Sequence, residues 1–323
     1  YNNCSTPGRT LKDFCRGGLS SSLSVRSRTT FTIDSSSLYS TYVADTYNIK
    51  ITVPNDHNET APYCYPVIYL LDAAYHFDGT HPFVSSDVGP GGVVRILEEL
   101  ILEGYLPPSI LVGIDYNGNV DAQRYRDFRD NRSPFYKFVE HELLPFVDDT
   151  YRTDITDRTL LGHSLGGTFT TYCLFQYNSS SPSLFKRFVT LSGNYRTDVF
   201  DVLTAESAMY ERISKSINPS VNISVFLAVG GQDDPLFVSG NKNLTTRLNS
   251  RKYQDFRFNG TIYEDHDHGS VVRPGFTEGL QWVFSAKFTK SATNTASYSV
   301  YGIFSLLIVV LVVKLSFICH RRN

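Results

Sequence analysis

The stretch Thr159–Gly167, TLLGHSLGG, places a single serine, Ser164, between glycines two positions away on either side. An apolar run leads into it and a helix-forming run, TFTTYCLF, leads out. A buried strand that turns sharply into a helix reads this way. Such a turn forces its serine into strained backbone geometry and lifts the hydroxyl above the sheet. Small residues two before and two after keep the strand and helix backbones from colliding. Gly162 and Gly166 supply them, and Gly167 lets the helix start close to the sheet. The helix N-terminus would then offer free N–H groups and the positive end of its dipole to a developing oxyanion.

Outward from this turn, short apolar runs alternate with longer segments of helical period. YNIKITVP, PVIYLLDA and SILVGIDY read as strands before the turn, with VVRILEELILEGY a helix between the last two. SPFYKFVEHELLPFVDDTY reads as one long amphipathic helix, with Ser133 capping its start and Pro134 in its first turn. After the turn come strand RFVTLSG, helix AESAMYERISKS, strand ISVFLAVGG, helix NKNLTTRLNSRK, strand FRFNGTIYE and a closing helix, GFTEGLQWVFSAKF. This alternation predicts an α/β fold: a mostly parallel sheet with helices on both faces. Near-continuous apolar strands fit burial on both sides. No linker divides residues 30–288, so they are expected to form one domain after an N-terminal segment, residues 1–29.

A serine hydroxyl needs a base to take its proton before it can attack. His268, in YEDHDHGSVV between the final strand and the closing helix, is the preferred candidate, and His266 is its rival. His163 adjoins the serine, but neighbouring side chains on a tight turn diverge. The orienting acid should follow a late strand, where FLAVGGQDDPLF offers Asp233 and Asp234. Asp234 is preferred because the Asp-Pro step fixes the turn after it, and Asp233 is the alternative. The chain order Ser164, Asp234, His268 is that of the α/β hydrolases and differs from chymotrypsin and subtilisin. No cysteine–histidine set has zinc spacing, and neither metal nor cofactor is expected.

Over residues 45–288 the chain resembles the putative-esterase family of α/β hydrolases, which includes esterase D, feruloyl and siderophore esterases and mycolyl transferases. The resemblance rests on PVIYLLDAAYHF, ILVGIDYNGNVDAQRYRDFRD, FYKFVEHELLPFVDDTYRTDITDRTLLGHSLGG, LFKRFVTLSGNYR and YEDHDHGSVVRPGF. HGSVV is most similar to the siderophore-esterase branch. The resemblance implies an α/β-hydrolase fold and an oxyanion held by the backbone N–H groups of Leu165 and Ala73. The family usually has glycine where Ala73 stands. If that position needs positive φ, alanine there would be strained by about 1–2 kcal/mol. The arginines of RYRDFRD are holders of anionic or phenolic substrate groups, solvated, or structural. The implied reaction is cleavage of a small-molecule carboxylic ester through an acyl-enzyme. Transfer of the acyl group to an alcohol and an inactive binding or adhesion module are the alternatives.

The near-neutral net charge of −2 shows no basic stripe, which argues against a nucleic-acid partner. YGIFSLLIVVLVVKLSFIC, residues 301–319, is about long enough to span a bilayer as a transmembrane helix contacting membrane lipid. Lys314 near its end can snorkel to the interface. HRRN after it, residues 320–323, predicts a cytosolic tail and a lumenal or extracellular body. Residues 289–300 then read as a juxtamembrane linker. Sequons at Asn3, Asn58, Asn131, Asn178, Asn222, Asn243 and Asn259 fit an exported glycoprotein. Cys4 and Cys15 can close a loop in an oxidising compartment, and Cys173 reads as a core thiol.

Overall fold

Eight strands form one sheet in the order β1-β2-β4-β3-β5-β6-β7-β8. A computed structural model describes residues 31–55, 63–81, 85–178, 183–217 and 219–285. The strands are β1 Phe31–Ser40, β2 Asp45–Pro54, β3 Tyr65–Leu70, β4 Ile110–Tyr116, β5 Thr153–His163, β6 Arg187–Leu191, β7 Ser220–Gly230 and β8 Gln254–Tyr263. β1 and β2 pair antiparallel with each other, and β2 runs antiparallel to β4. From β4 to β8 every pairing is parallel. The expected mostly parallel sheet is therefore present, with one antiparallel edge. β3 and β4 are buried at every residue, as strands covered on both faces must be.

The helices include α1 Ala73–His76, α2 Ser85–Val88, α3 Gly92–Leu102, α4 Val120–Tyr125, α5 Arg132–Phe138, α6 Leu144–Thr150, α7 Leu165–Phe175, α8 Val202–Ser214 and α9 Pro235–Ser250. A last helix, α10, is described over residues 272–285. α3 buries Val93, Ile96, Leu97, Leu100 and Ile101, the stripe its period predicts. α7 is buried almost all round, which its polar threonines would seem to forbid. Thr170 and Thr171 resolve this by donating to the carbonyls of Gly166 (2.9 Å) and Gly167 (3.0 Å) one turn back.

The long helix before β5 departs from expectation. It starts at Arg132, with Asn131 rather than Ser133 at its cap and no capping side-chain bond. A π-turn, Val139–Leu143, separates α5 from α6, and a second, Arg126–Asp130, joins α4 to Asn131. The second turns Asp127 inward, where Tyr47 Oη donates to it at 2.7 Å and Arg126 pairs with it.

The chain divides into two compact units, Tyr1–Val283 and Phe284–Asn323, and the sheet lies in the first. Residues 1–29 and 289–323, with the apolar run 301–319, fall outside the described residues. Among the described residues no helix is long and apolar enough to cross a membrane. Cys64 is disulfide-bonded, Cys173 is a buried free thiol, and Cys4 and Cys15 lie outside the described residues. Asn131, Asn178, Asn222 and Asn243 are exposed, whereas Asn259 is half-buried in β8.

Candidate active site

The register of the parallel strands aligns their C-terminal ends on one rim of the sheet, where open α/β sheets place their ligands. Ser164 follows β5 there with φ 57° and ψ −122°, a conformation that L-residues rarely adopt. Its N–H donates to Leu191 O at 2.9 Å, tying the turn to β6. The glycines around it are sterically required. A Cβ on Gly162 would stand 2.3 Å from both Gly166 O and Thr170 Oγ1, and one on Gly167 2.7 Å from Leu191 O. Positive φ recurs at Asp72 after β3 and Ser192 after β6, so strain gathers at the ends of three adjacent strands.

His268 and an aspartate meet beyond β7, but the aspartate is Asp233. His268 Nδ1 donates to Asp233 Oδ2 at 2.8 Å. Asp233 Oδ1 accepts the Asp234 N–H at 2.7 Å, so the buried carboxylate is oriented from both sides. Asp234, preferred from sequence, instead caps α9: its Oδ1 accepts the Leu236 N–H at 2.8 Å, with Pro235 in the first turn. The Asp-Pro step is thus a helix start rather than the mark of a site. His266 has its ring against Tyr263, at 5.8 Å between centroids, and its carbonyl accepts the Gln232 N–H at 2.9 Å. Asp267 shapes the His268 loop by accepting from Ser270 N (2.8 Å), Ser270 Oγ (2.7 Å) and Gly269 N (3.1 Å).

Sequence reading missed the link between this loop and the elbow. His163 Nε2–H donates to His268 O at 2.8 Å, and the two rings lie 4.6 Å apart. That donation assigns the Nε2–H tautomer to a neutral His163. Burial first, and then the His268 charge, hold the His163 pKa well below the usual histidine range. Phe237 packs edge-on against His268 at 4.9 Å.

The condition under which Ala73 would be strained is not met. The left-handed residue is Asp72, with φ 58° and ψ 45°, and Ala73 is the first residue of α1. Alanine therefore carries no positive-φ strain. The first backbone bonds of this turn are donated by Tyr75 (2.9 Å) and His76 (3.2 Å) to Asp72 O, after the Ala73 N–H. Leu165 opens α7 in the same way, directly after Ser164. The RYRDFRD arginines each engage a carboxylate of the chain. Arg124 pairs with Asp72, Arg126 with Asp45 and Asp127, and Arg129 with its neighbour Asp130 at 3.6 Å.

His76 is buried behind His163, 5.4 Å ring to ring, and among the described residues its Nδ1 has no hydrogen-bond partner. Burial, with Arg124 and the nearby histidines, lowers its pKa to about 3. The unfolded chain would take up this proton near pH 6.5 and the folded one only near 3. Stability is therefore lost as pH falls between those values, by at most about 1.4 kcal/mol per pH unit for this one proton. Denaturant titrations at pH 7 and pH 5 should show a shallower loss for His76→Phe than for wild type. An equal loss would place the acid sensitivity elsewhere.

Comparison with known proteins fits this geometry. Residues 40–281 match the family described as Putative esterase. The ferri-bacillibactin esterase BesA of Bacillus subtilis is 27% identical over 213 residues, which is 57% of this chain and 65% of the relative, just under two thirds of its length. The BES protein of Bacillus cereus superposes with a TM-score of 0.62 at 24% identity, over 81% of this chain and 99% of that one. The siderophore hydrolase EstA of Aspergillus nidulans gives 0.60 at 18% identity, over 79% and 94%. Those two likenesses carry the fold, and the match over residues 40–281 carries the family: this chain belongs to the Putative esterase family.

Proposed function

We propose that the chain is a serine esterase that works through an acyl-enzyme. Ser164 attacks the ester carbonyl while His268 takes its proton, and Asp233 holds the imidazole and stabilises its charged form. The N–H groups of Leu165 and Ala73 bind the oxyanion. His268 then gives its proton to the leaving alcohol; water, deprotonated in turn by His268, attacks the acyl-enzyme, and His268 returns that proton to Ser164 Oγ as the acid leaves. The observation that carries this reading is the His268–Asp233 pair, tied to the Ser164 turn through His163.

Siderophore-type esters are the proposed substrate class, on the likeness to BesA. Aromatic groups beside the site suit such ligands: Tyr75 and His81 pack edge-to-face at 4.7 Å just after Ala73, and Phe237 backs His268. The test is a panel of catecholate, hydroxamate and simple aryl esters, together with fluorophosphonate labelling mapped by mass spectrometry. Hydrolysis with the label on Ser164 is expected. A folded protein that neither labels nor cleaves would point to a displayed binding scaffold, and ester products formed with added alcohols would point to acyl transfer.

The proposed setting is a glycosylated body outside the cytosol, with residues 301–319 as its single span. The expressed protein should resist carbonate extraction and lose mass on glycosidase treatment. A product released by carbonate, with unchanged mass, would overturn this topology.

A further inference from the structure

Asp72 stands between the two halves of the proposed oxyanion hole. It is fully buried, it is the left-handed joint between β3 and α1, and the next N–H is that of Ala73. On one side its carboxylate lies against the elbow helix. A Cβ added to Gly166 would fall 2.8 Å from Asp72 Oδ2, and Gly166 directly follows Leu165. On the other side Arg124 grips both oxygens, Nε to Oδ1 at 2.6 Å and Nη2 to Oδ2 at 3.0 Å. The guanidinium is itself fixed. It lies over the Tyr75 ring, 5.0 Å from the centroid, and its Nη1 is 3.8 Å from Asp121 Oδ1. Asp121 in turn accepts from Tyr75 Oη at 2.9 Å.

We infer that the Asp72–Arg124 pair is a positioning element that sets the Ala73 N–H in register with the Leu165 N–H; this rests on the serine-esterase reading. Oxyanion donors act only when about 2.7–3.1 Å from the charged oxygen, so a small rotation at Asp72 removes one of them. A bidentate guanidinium fixes the plane of a carboxylate, and with it the orientation of the side chain and backbone that carry it. Lysine, as a point charge, cannot fix that plane. Stability alone is a poor reason for the pair, because buried ion pairs seldom stabilise a fold over apolar packing. Direct binding of a substrate anion is also disfavoured, since Nε and Nη2 already hold Asp72.

The test uses the full chain and compares wild type with Arg124→Gln and Arg124→Lys. Readouts are kcat and KM on an ester that wild type cleaves, inhibition by an arylboronic acid that mimics the tetrahedral state, and thermal melting. Arg124→Gln should lower kcat by about 10²-fold, as loss of one oxyanion donor does, with KM within about twofold. Boronic acid affinity should weaken alongside kcat, and Arg124→Lys should fall between. A rise in KM with kcat kept would make Arg124 a substrate-binding residue and overturn the inference, as would wild-type kinetics with only a lowered melting temperature. Should Arg124→Gln not fold, Arg124→Lys carries the test: reduced kcat at constant KM supports the inference, and wild-type kcat overturns it. Wild type that folds yet cleaves no ester overturns the esterase reading itself, and this inference with it.

Discussion

Ser164→Ala and Ser164→Gly should both lose about 10⁶-fold in kcat, yet move stability in different ways. The rate loss is what removal of a triad nucleophile costs in a serine protease. Neither variant should label with a fluorophosphonate. The stability difference follows from the backbone. At φ 57° and ψ −122° any residue with a Cβ is strained, by about 1–3 kcal/mol. Alanine keeps that strain and should melt close to wild type. Glycine relieves it but loses roughly 0.5–1 kcal/mol through the greater freedom of the unfolded chain. A net gain of about 1 kcal/mol is expected for Ser164→Gly, read from denaturant titrations. If Ser164→Gly were less stable than Ser164→Ala, the strain assigned to the turn would be wrong. If either variant kept esterase activity, the nucleophile would lie elsewhere.

Asp233→Asn and Asp234→Ala should separate catalysis from capping. Amidating the acid of a serine-protease triad costs about 10⁴-fold in kcat, because the imidazole is then held in the wrong tautomer. Asp233→Asn should lose a similar factor while the domain stays folded, since the amide can still accept the Asp234 N–H. Asp234→Ala removes the acceptor for Leu236 N–H at the start of α9 and should cost about 1 kcal/mol of stability. Its kcat should stay within a few-fold of wild type. Steady-state kinetics and thermal melts on the two variants decide the matter, and the opposite pairing of effects would return the acid role to Asp234.

The elbow was legible in the sequence because its requirements are local: backbones that approach this closely leave room only for glycine at 162, 166 and 167. That His268 meets an aspartate after β7 was legible from its place between the last strand and the closing helix. The aspartate that bonds His268 was misread because Asp233 and Asp234 differ only in which way one turn points them, and no periodicity encodes that. Asp-Pro in fact carried a different signal, a cap followed by proline at the first helical position. The positive φ falls one residue earlier than the position in question, on Asp72, and leaves Ala73 helical. β1 went unread because it is a sheet edge whose serine-rich FTIDSSSLYS lacks an apolar alternation. The bond from His163 to His268 spans 105 residues of chain and leaves no local trace.

Every group assigned a chemical role sits on the rim formed by the C-terminal ends of the parallel strands. Among the described residues, the opposite rim carries connections that return the chain to the next strand, such as the one between α8 and β7, where Ile217 is fully exposed. The two rims therefore stand under different constraints. Length changes, affinity tags or whole inserted domains can be accommodated at the second without disturbing distances at the first. The same division gives evolution a place to lengthen or decorate this protein while its chemistry stays fixed.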